Sequence, residues 1–348
     1  MHEYRALFAD FDGWAYLNAA RQGPLPTSAL RALREAERQF ANPAHLDEET
    51  RFTGADIVRE KFARLIGASA ASIAIGTGTG FGLGLAASTL SLGSGDEVLI
   101  GPNEYVSLPT AVLSAAKHRG FTVRRLDPHN PFFTADDVES ALKPSTRTLM
   151  VSAVSYEHGY RADLEALGEL CRTRGLTFVV DACQAAGSVP LNAPELGIDV
   201  LATGAYKWLL APYGIGLAYL SERARQEMHS ATPSYHSLLD FEWPRLNLRA
   251  DASAFDVPQA AAPFHMWPLA ASLDVVANAT VGRIHEHANQ LGDQLVERLP
   301  PGIAVASSLE PRHRSAIMVL ELPSEEAAAH VNAALRGAKI QLTHRGRQ

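Results

Sequence analysis

The sequence predicts an α/β protein built on a mainly parallel sheet with helices on both faces, followed by a smaller α+β lobe toward the C-terminus. Three observations lead there. Short, uniformly apolar runs recur between residues 73 and 220, as expected of strands buried on both faces. Stretches of helical spacing separate most of these runs, which is the strand–helix alternation of a parallel sheet. After residue 300 the order becomes strand, helix, strand within a short segment.

The elements follow in order. "TGADIVREKFARLIG" has apolar residues at helical spacing and a glycine stop. "SIAI" is a short strand, and "GTGTGFGLGLAASTL" is a glycine-rich turn entering a helix. "DEVLIG" and "FTVRRLD" are strands on either side of the helix "SLPTAVLSAAKHRG". "TRTLMVSAVS" is a strand, "RADLEALGELCRTRG" an amphipathic helix, and "LTFVVDA", "IDVLATGA" and "GIGLAYLSE" three more strands. Residues 229–267 carry prolines and aromatics with little periodicity and read as a long functional loop. Residues 268–299 read as two helical stretches broken near "ATVG". "SAIMVLEL", "SEEAAAHVNAALRG" and "AKIQLTHRGRQ" complete the small lobe.

Composition narrows the function. The 348 residues are 47% hydrophobic and 20% charged, enough for a large core. A net charge of −7 argues against nucleic acid as a partner. Two cysteines, Cys171 and Cys183, make no disulfide framework, and a cytoplasmic setting is the simplest expectation. "MHEYRALFADFDGWAYLNAA" lacks a basic n-region and an apolar h-region, so no secretory leader is expected. Gly, Pro or charge interrupts every apolar stretch before about 18 residues, so no membrane span is expected.

The chemistry gathers around one lysine. Lys61, Lys117, Lys143 and Lys339 sit where solvation is the simplest expectation, but Lys207 lies beside Trp208, Leu209 and Leu210. A desolvated lysine amine is a nucleophile toward carbonyls. Asp181 ends an apolar strand, and ligands of open α/β sheets bind at the carboxyl ends of strands. A carboxylate there can pair with a protonated ring nitrogen, as the pyridinium of pyridoxal 5′-phosphate (PLP) requires, while the aldehyde of PLP requires a lysine. The third element is "GTGTG" at Gly76–Gly80, which enters a helix and offers backbone N–H groups and the Thr79 hydroxyl to a phosphate. No metal-ligand cluster is expected.

With these residues the chain resembles the class V aminotransferase superfamily of fold-type I PLP enzymes. That group includes cysteine desulfurases, selenocysteine lyases, kynureninases and isopenicillin-N-epimerase-like proteins. The resemblance runs from "YLNAARQGPLP" to the final "GRQ" and is sharpest over "VVDACQAAGSVPLNAPELGIDVLATGAYKWLLAPYGIGLAYL". It implies a seven-stranded-type sheet in a PLP-binding large domain at 15–262, with a small domain formed by 1–14 and 263–348. It implies that Lys207 forms the Schiff base with PLP and later shuttles the Cα proton. By the same resemblance, Asp181 pairs with the pyridine nitrogen and Gln184 bonds the phenolic oxygen. Gly78, Thr79 and Gly80 cradle the phosphate, Tyr206 donates to it, and Tyr105 stacks on the ring. A homodimer and a small-molecule amino-acid substrate are also implied.

The chain departs from the family in several places. Gly204 replaces a serine that often binds phosphate, and Tyr206 stands where many relatives have His. Tyr156 stands where desulfurases tend to have Asn, and "AFDVPQAAAPF" replaces a Gly-Thr pair that reaches the partner's phosphate, with Gln259 as a partial substitute. No cysteine follows Cys183, which disfavours loop-cysteine desulfuration; Cys183 itself reads as packing and Cys171 as buried. The chain stops just before the family segment whose Arg grips the substrate carboxylate, so a shortened small lobe is expected. Arg345, Arg347 and Arg161 are the candidate replacements, with His158 as a further substrate residue and His265 and Trp267 as pocket-lining candidates. The leading expectation is an aminotransferase. The alternatives are a C–S or C–C lyase or hydrolase, an epimerase, and a degenerate scaffold without activity.

Overall fold

The computed structural model describes residues 2–42, 44 and 48–348. Seven strands form the central sheet: β1 (Ile73–Gly76), β2 (Glu97–Ile100), β3 (Thr122–Arg125), β4 (Thr146–Ser152), β5 (Thr177–Asp181), β6 (Val200–Gly204) and β7 (Gly216–Leu220). Their spatial order is β1-β7-β6-β5-β4-β2-β3. β7 is antiparallel to both β1 and β6, and every other pairing is parallel. β1 therefore runs with the parallel strands, and six strands deliver their carboxyl ends to one edge. The expected mainly parallel seven-stranded sheet is present.

Alternate residues of each central strand feed two cores. Ile75, Leu99, Leu149, Val151, Phe178, Val180 and Leu217 enter one face; Ala74, Val98, Met150, Val179, Ala202 and Ala218 enter the other. Burial on both faces accounts for the uniformly apolar runs in the sequence. The first face is covered by the helices Glu48–Leu65, Leu164–Arg174 and Pro263–Ala279, the second by Thr79–Thr89 and Ser107–Arg119. Glycines in the left-handed region end two of these helices, Gly120 after Arg119 and Gly175 after Arg174. A buried ion pair joins layers: Arg59 bonds Asp256 and the Ile73 carbonyl, and Asp256 accepts the Ile75 amide at 2.8 Å.

Three expectations change. Residues 229–267 do not form a plain loop. They hold a hairpin, Leu238–Glu242 against Arg245–Leu248, and two short 3-10 turns. Leu239, Phe241, Leu246 and Leu248 alternate with Asp240, Glu242, Arg245 and Asn247, a strand signal present in the sequence, but the apolar positions are exposed rather than turned to a core. The helix expected from residue 268 begins at Pro263, a residue suited to a first turn, and takes Pro268 into its body. The lysines outside the site are not simply solvated: Lys61 pairs with Asp274 at 2.7 Å, Lys143 lies 3.4 Å from Glu97, and Lys339 donates to the Asp12 carbonyl at 2.9 Å. Sequence patterning also left the helices Thr27–Ala41 and Ala135–Ala141 unmarked.

The C-terminal segment contributes the helix Val281–Glu297, the pair Ala304–Val305 with Leu320–Glu321, and the helix Glu325–Gly337. Ile340–Gln341 then pairs in parallel with Ala15–Tyr16, so the two ends of the chain meet near the site. No helix among the described residues is long and apolar enough to cross a membrane.

Candidate active site

A cavity of about 180 Å³ opens at the carboxyl edge of the sheet. It is lined by Gly78, Thr79, Gly80, Tyr105, Asp181, Gln184, Tyr206 and Lys207, and by Ser107, Ser152, Val154, Tyr156 and Cys183. The fold brings these residues together from far apart. Gly78 caps the Thr79–Thr89 helix immediately after β1, so the helix N-terminus faces the cavity. Asp181 is the last residue of β5 and Ser152 the last of β4, and the two are register partners. Lys207 lies in the turn after β6.

Asp181 is 5% exposed, and burial pushes its carboxyl up to about 6 against the opposing pull of the Cys183 amide and Lys207. Its Oδ1 accepts the Cys183 amide at 2.8 Å. Lys207 is 9% exposed, and its ammonium has no hydrogen bond or ion pair among the described residues. It lies 5.8 Å from the centre of the Tyr105 ring and 5.7 Å from that of Tyr206. A desolvated acid and a desolvated amine therefore face one cavity with polar atoms to spare, an arrangement that is costly unless a ligand uses it.

Gln184 is anchored at both ends of its amide. Nε2 donates to the Ala20 carbonyl at 2.9 Å and Oε1 accepts from Trp208 Nε1 at 2.8 Å. A second hydrogen on Nε2 remains for a ligand. Tyr206 stacks on Tyr213 with ring centres 4.4 Å apart, and burial raises its phenol. Cys183 is not mere packing: it lines the cavity. Gly204 has a local reason. A Cβ there would lie 2.9 Å from the Tyr206 ring and 3.2 Å from the Thr79 hydroxyl, so tyrosine at 206 fills the room a serine at 204 needs.

The four substrate-side candidates separate. Arg345 lies beside the cavity wall: its guanidinium is 5.5 Å from the centre of the Tyr156 ring and donates to the Glu157 carbonyl at 3.2 Å. Arg347 is turned to the small lobe, where Nε donates to the Leu322 carbonyl at 3.0 Å and Nη2 lies 3.4 Å from Glu321. His158 packs edge-on to Phe132, and its carbonyl accepts from Ser307 at 2.6 Å. Arg161 pairs through its backbone with His313, and burial lowers its guanidinium. None of the four lines the cavity, and Arg345 packs on a residue that does, Tyr156. His265 and Trp267 lie in the Pro263–Ala279 helix and do not line it either. Ser107, Ser152 and Val154 went unnoticed in the sequence; Ser152, at a strand's carboxyl end, was findable by the rule that located Asp181.

The sequence profile described as Aminotransferase class-V matches residues 15–348. The chain belongs to the class V aminotransferase family. Enzymes of this family depend on PLP and act on amino acids, and so does this class V aminotransferase. It is 28% identical over 328 residues to isopenicillin N epimerase of Amycolatopsis lactamdurans, covering 88% of this chain and 81% of that protein. It is 36% identical over 124 residues to the cysteine desulfurase IscS of Tolumonas auensis, covering 34% and 30%. Among solved structures, a lysine-to-alanine variant of C-DES with glycine covalently linked to its PLP cofactor superposes with a TM-score of 0.88 at 20% identity, over 97% of this chain and 90% of that one. That likeness establishes the shared fold-type I architecture. The residues present fit PLP, since the cavity offers an acid, an amine and a helix N-terminus with spare hydrogen-bonding atoms.

Proposed function

We propose that this class V aminotransferase transfers the amino group of an α-amino acid, with Lys207 as the covalent attachment point and proton carrier. The observation that carries the reading is the shared cavity of buried Lys207 and buried Asp181. PLP, when bound, supplies an electron sink for the charge left at the substrate Cα. Asp181 holds the ring nitrogen protonated. Gly78, Thr79 and Gly80 bind the phosphate through backbone N–H groups and the Thr79 hydroxyl. Tyr206 donates to the same phosphate, Gln184 donates to the phenolic oxygen, and Tyr105 covers the ring face. The Lys207 amine would accept the proton released at the substrate Cα. Arg345 anchors the substrate carboxylate at the wall formed by Tyr156.

Cleavage of a C–S or C–C bond of the substrate side chain, as by a lyase or hydrolase, is the second reading, favoured by Tyr206, which resembles the kynureninase residue, and by a cavity thiol at Cys183. Cys171, 1% exposed, is out of reach of a substrate. We further propose a cytoplasmic homodimer, with a large domain at 15–262 and a small domain formed by 1–14 and 263–348. The exposed Leu239, Phe241, Trp243 and Leu246 of the 238–248 hairpin support self-association.

The test is an absorbance scan with added PLP, for wild type and Lys207→Ala, followed by an amino-acid panel. The wild type is expected to show a violet-region band that borohydride fixes and the variant lacks. A keto acid formed with stoichiometric amino transfer supports the aminotransferase, and cleavage of a C–S or C–C bond of the side chain supports the second reading. Absence of the band at excess PLP sinks both.

A further inference from the structure

Glu104 is an acid that the proposed chemistry does not use, yet the site is built around it. It lies in the loop between β2 and the Ser107–Arg119 helix, next to Tyr105. Its side chain folds back into the protein. Oε1 accepts the Ser152 amide at 2.9 Å, and Oε2 accepts the Ser152 hydroxyl. The loop is shaped to admit this carboxyl: a Cβ on Gly101 would lie 2.0 Å from Oε1. Ser152 lines the cavity and is the register partner of Asp181. One side chain thus holds both polar groups of the residue beside the proposed ring-nitrogen partner.

We infer that Glu104 is a positioning residue of this site, fixing Ser152 at the end of β4 and placing a second carboxyl beside Asp181. This rests on the reading of the cavity as the PLP site. The groups around it are Asp181 from β5, Tyr156 from the loop after β4, and Tyr105 next in sequence; Lys207 acts on Asp181. No ion pair forms with Glu104 among the described residues. Burial, opposed by the two Ser152 bonds and reinforced by Asp181, pushes its carboxyl up to about 7. Below that pH a neutral Glu104 leaves Asp181 as the only anion of the pair. Above it a second negative charge favours protonated, cationic groups in the cavity.

Glu104→Gln tests this while preserving the contacts, because the amide oxygen can accept the Ser152 amide and the nitrogen can donate to its hydroxyl. Two readouts are needed. The first uses cofactor-free protein. The native carboxyl binds its proton more tightly than the unfolded one, so wild type is expected to lose stability as pH rises through the window ending near 7. Asp181 and the histidines titrate in overlapping ranges, so the quantity read is the difference between the two proteins from about pH 5 to about pH 8. The wild-type melting temperature is expected to fall more steeply with rising pH than that of Glu104→Gln. Parallel curves would overturn the inference, since a purely structural role shifts both pH values alike.

The second readout is the violet band of the PLP-loaded proteins between pH 5 and 9. Glu104→Gln is expected to lower its apparent pKa by about one unit, the effect of removing one nearby negative charge. Superimposable profiles overturn the inference. If the wild type forms no Lys207-dependent band, the PLP reading fails, while the cofactor-free melts still report on Glu104. Should Glu104→Gln fold poorly, Ser152→Ala keeps the carboxyl but removes a bond to its ionised form. The fall in melting temperature should then move to higher pH, and an unmoved fall counts against the coupling.

Discussion

Burial governs Asp181 before any ligand arrives. Its native carboxyl titrates near 6, above the unfolded value of 3.8, so the native state binds the proton more tightly. By linkage, stability falls as pH rises from about 4 to about 6, and the cost remains at neutral pH. Cofactor-free Asp181→Asn is therefore expected to melt a few degrees above wild type at pH 7, a gain of about 2 kcal/mol, and to match it near pH 4. The same variant should bind PLP less tightly, so stability and function move in opposite directions. If Arg345, which packs on Tyr156 of the cavity wall, anchors the substrate as proposed, Arg345→Ala should raise KM for amino acids about 10–100-fold with little change in kcat, the loss of one charge-assisted carboxylate contact. Arg347→Ala, turned toward Leu322 and Glu321, should leave KM within about twofold. Steady-state kinetics on the amino acid found by the panel separates the two.

Single elements couple neighbouring positions of this chain. The turn after β6 carries Tyr206 and Lys207, and the Tyr206 ring takes the space beside Gly204 and Thr79. Gly204→Ser should therefore destabilise the protein by about 1–3 kcal/mol and weaken PLP binding, because the added atoms meet a stacked tyrosine. Adding Tyr206→His should recover much of that loss, since the smaller ring vacates the space. A double-mutant cycle read by thermal melts checks the coupling, and strict additivity would count against it. The helix Thr79–Thr89 contributes in a different way. Its apolar body, with Leu83 and Ala86 fully buried, holds the N-terminal turn against β6 and β7, so the backbone proposed to bind phosphate is already in place without a ligand.

Across the whole molecule, the cavity lies where chain ends, sheet edge and small lobe converge. Gln184 is tied to Ala20, Thr343 donates to Asn18 at 2.7 Å, and Arg345 reaches the loop that carries Tyr156. Small-lobe serines 307 and 315 donate to the carbonyls of His158 and Gly159 in that same loop. Displacement of the lobe would thus be transmitted to the cavity wall. The hairpin at 238–248 stands on the outside, with Trp243 83% exposed. Such a ring is a natural anchor for a second copy. Trp243→Glu is expected to shift the protein from dimer to monomer on size-exclusion chromatography with light scattering. An unchanged mass would remove the hairpin from the interface.

The sequence by itself determined the sheet, its apolar strands and the triplet of glycine-rich turn, Asp181 and Lys207. These are local signals: patterning, strand ends and the residues beside a lysine are all readable without neighbours in space. The short alternation of the hairpin is present in it but lies in a stretch of prolines and aromatics; the choice among four substrate-side residues is not, because it depends on how the C-terminal segment turns after Gln341. It gave no warning of Glu104, because an acid in a polar loop reads as solvated until its loop is folded against Gly101 and Ser152. Only the tertiary structure decided those points, since burial, register and direction of approach are properties of residues distant in the chain.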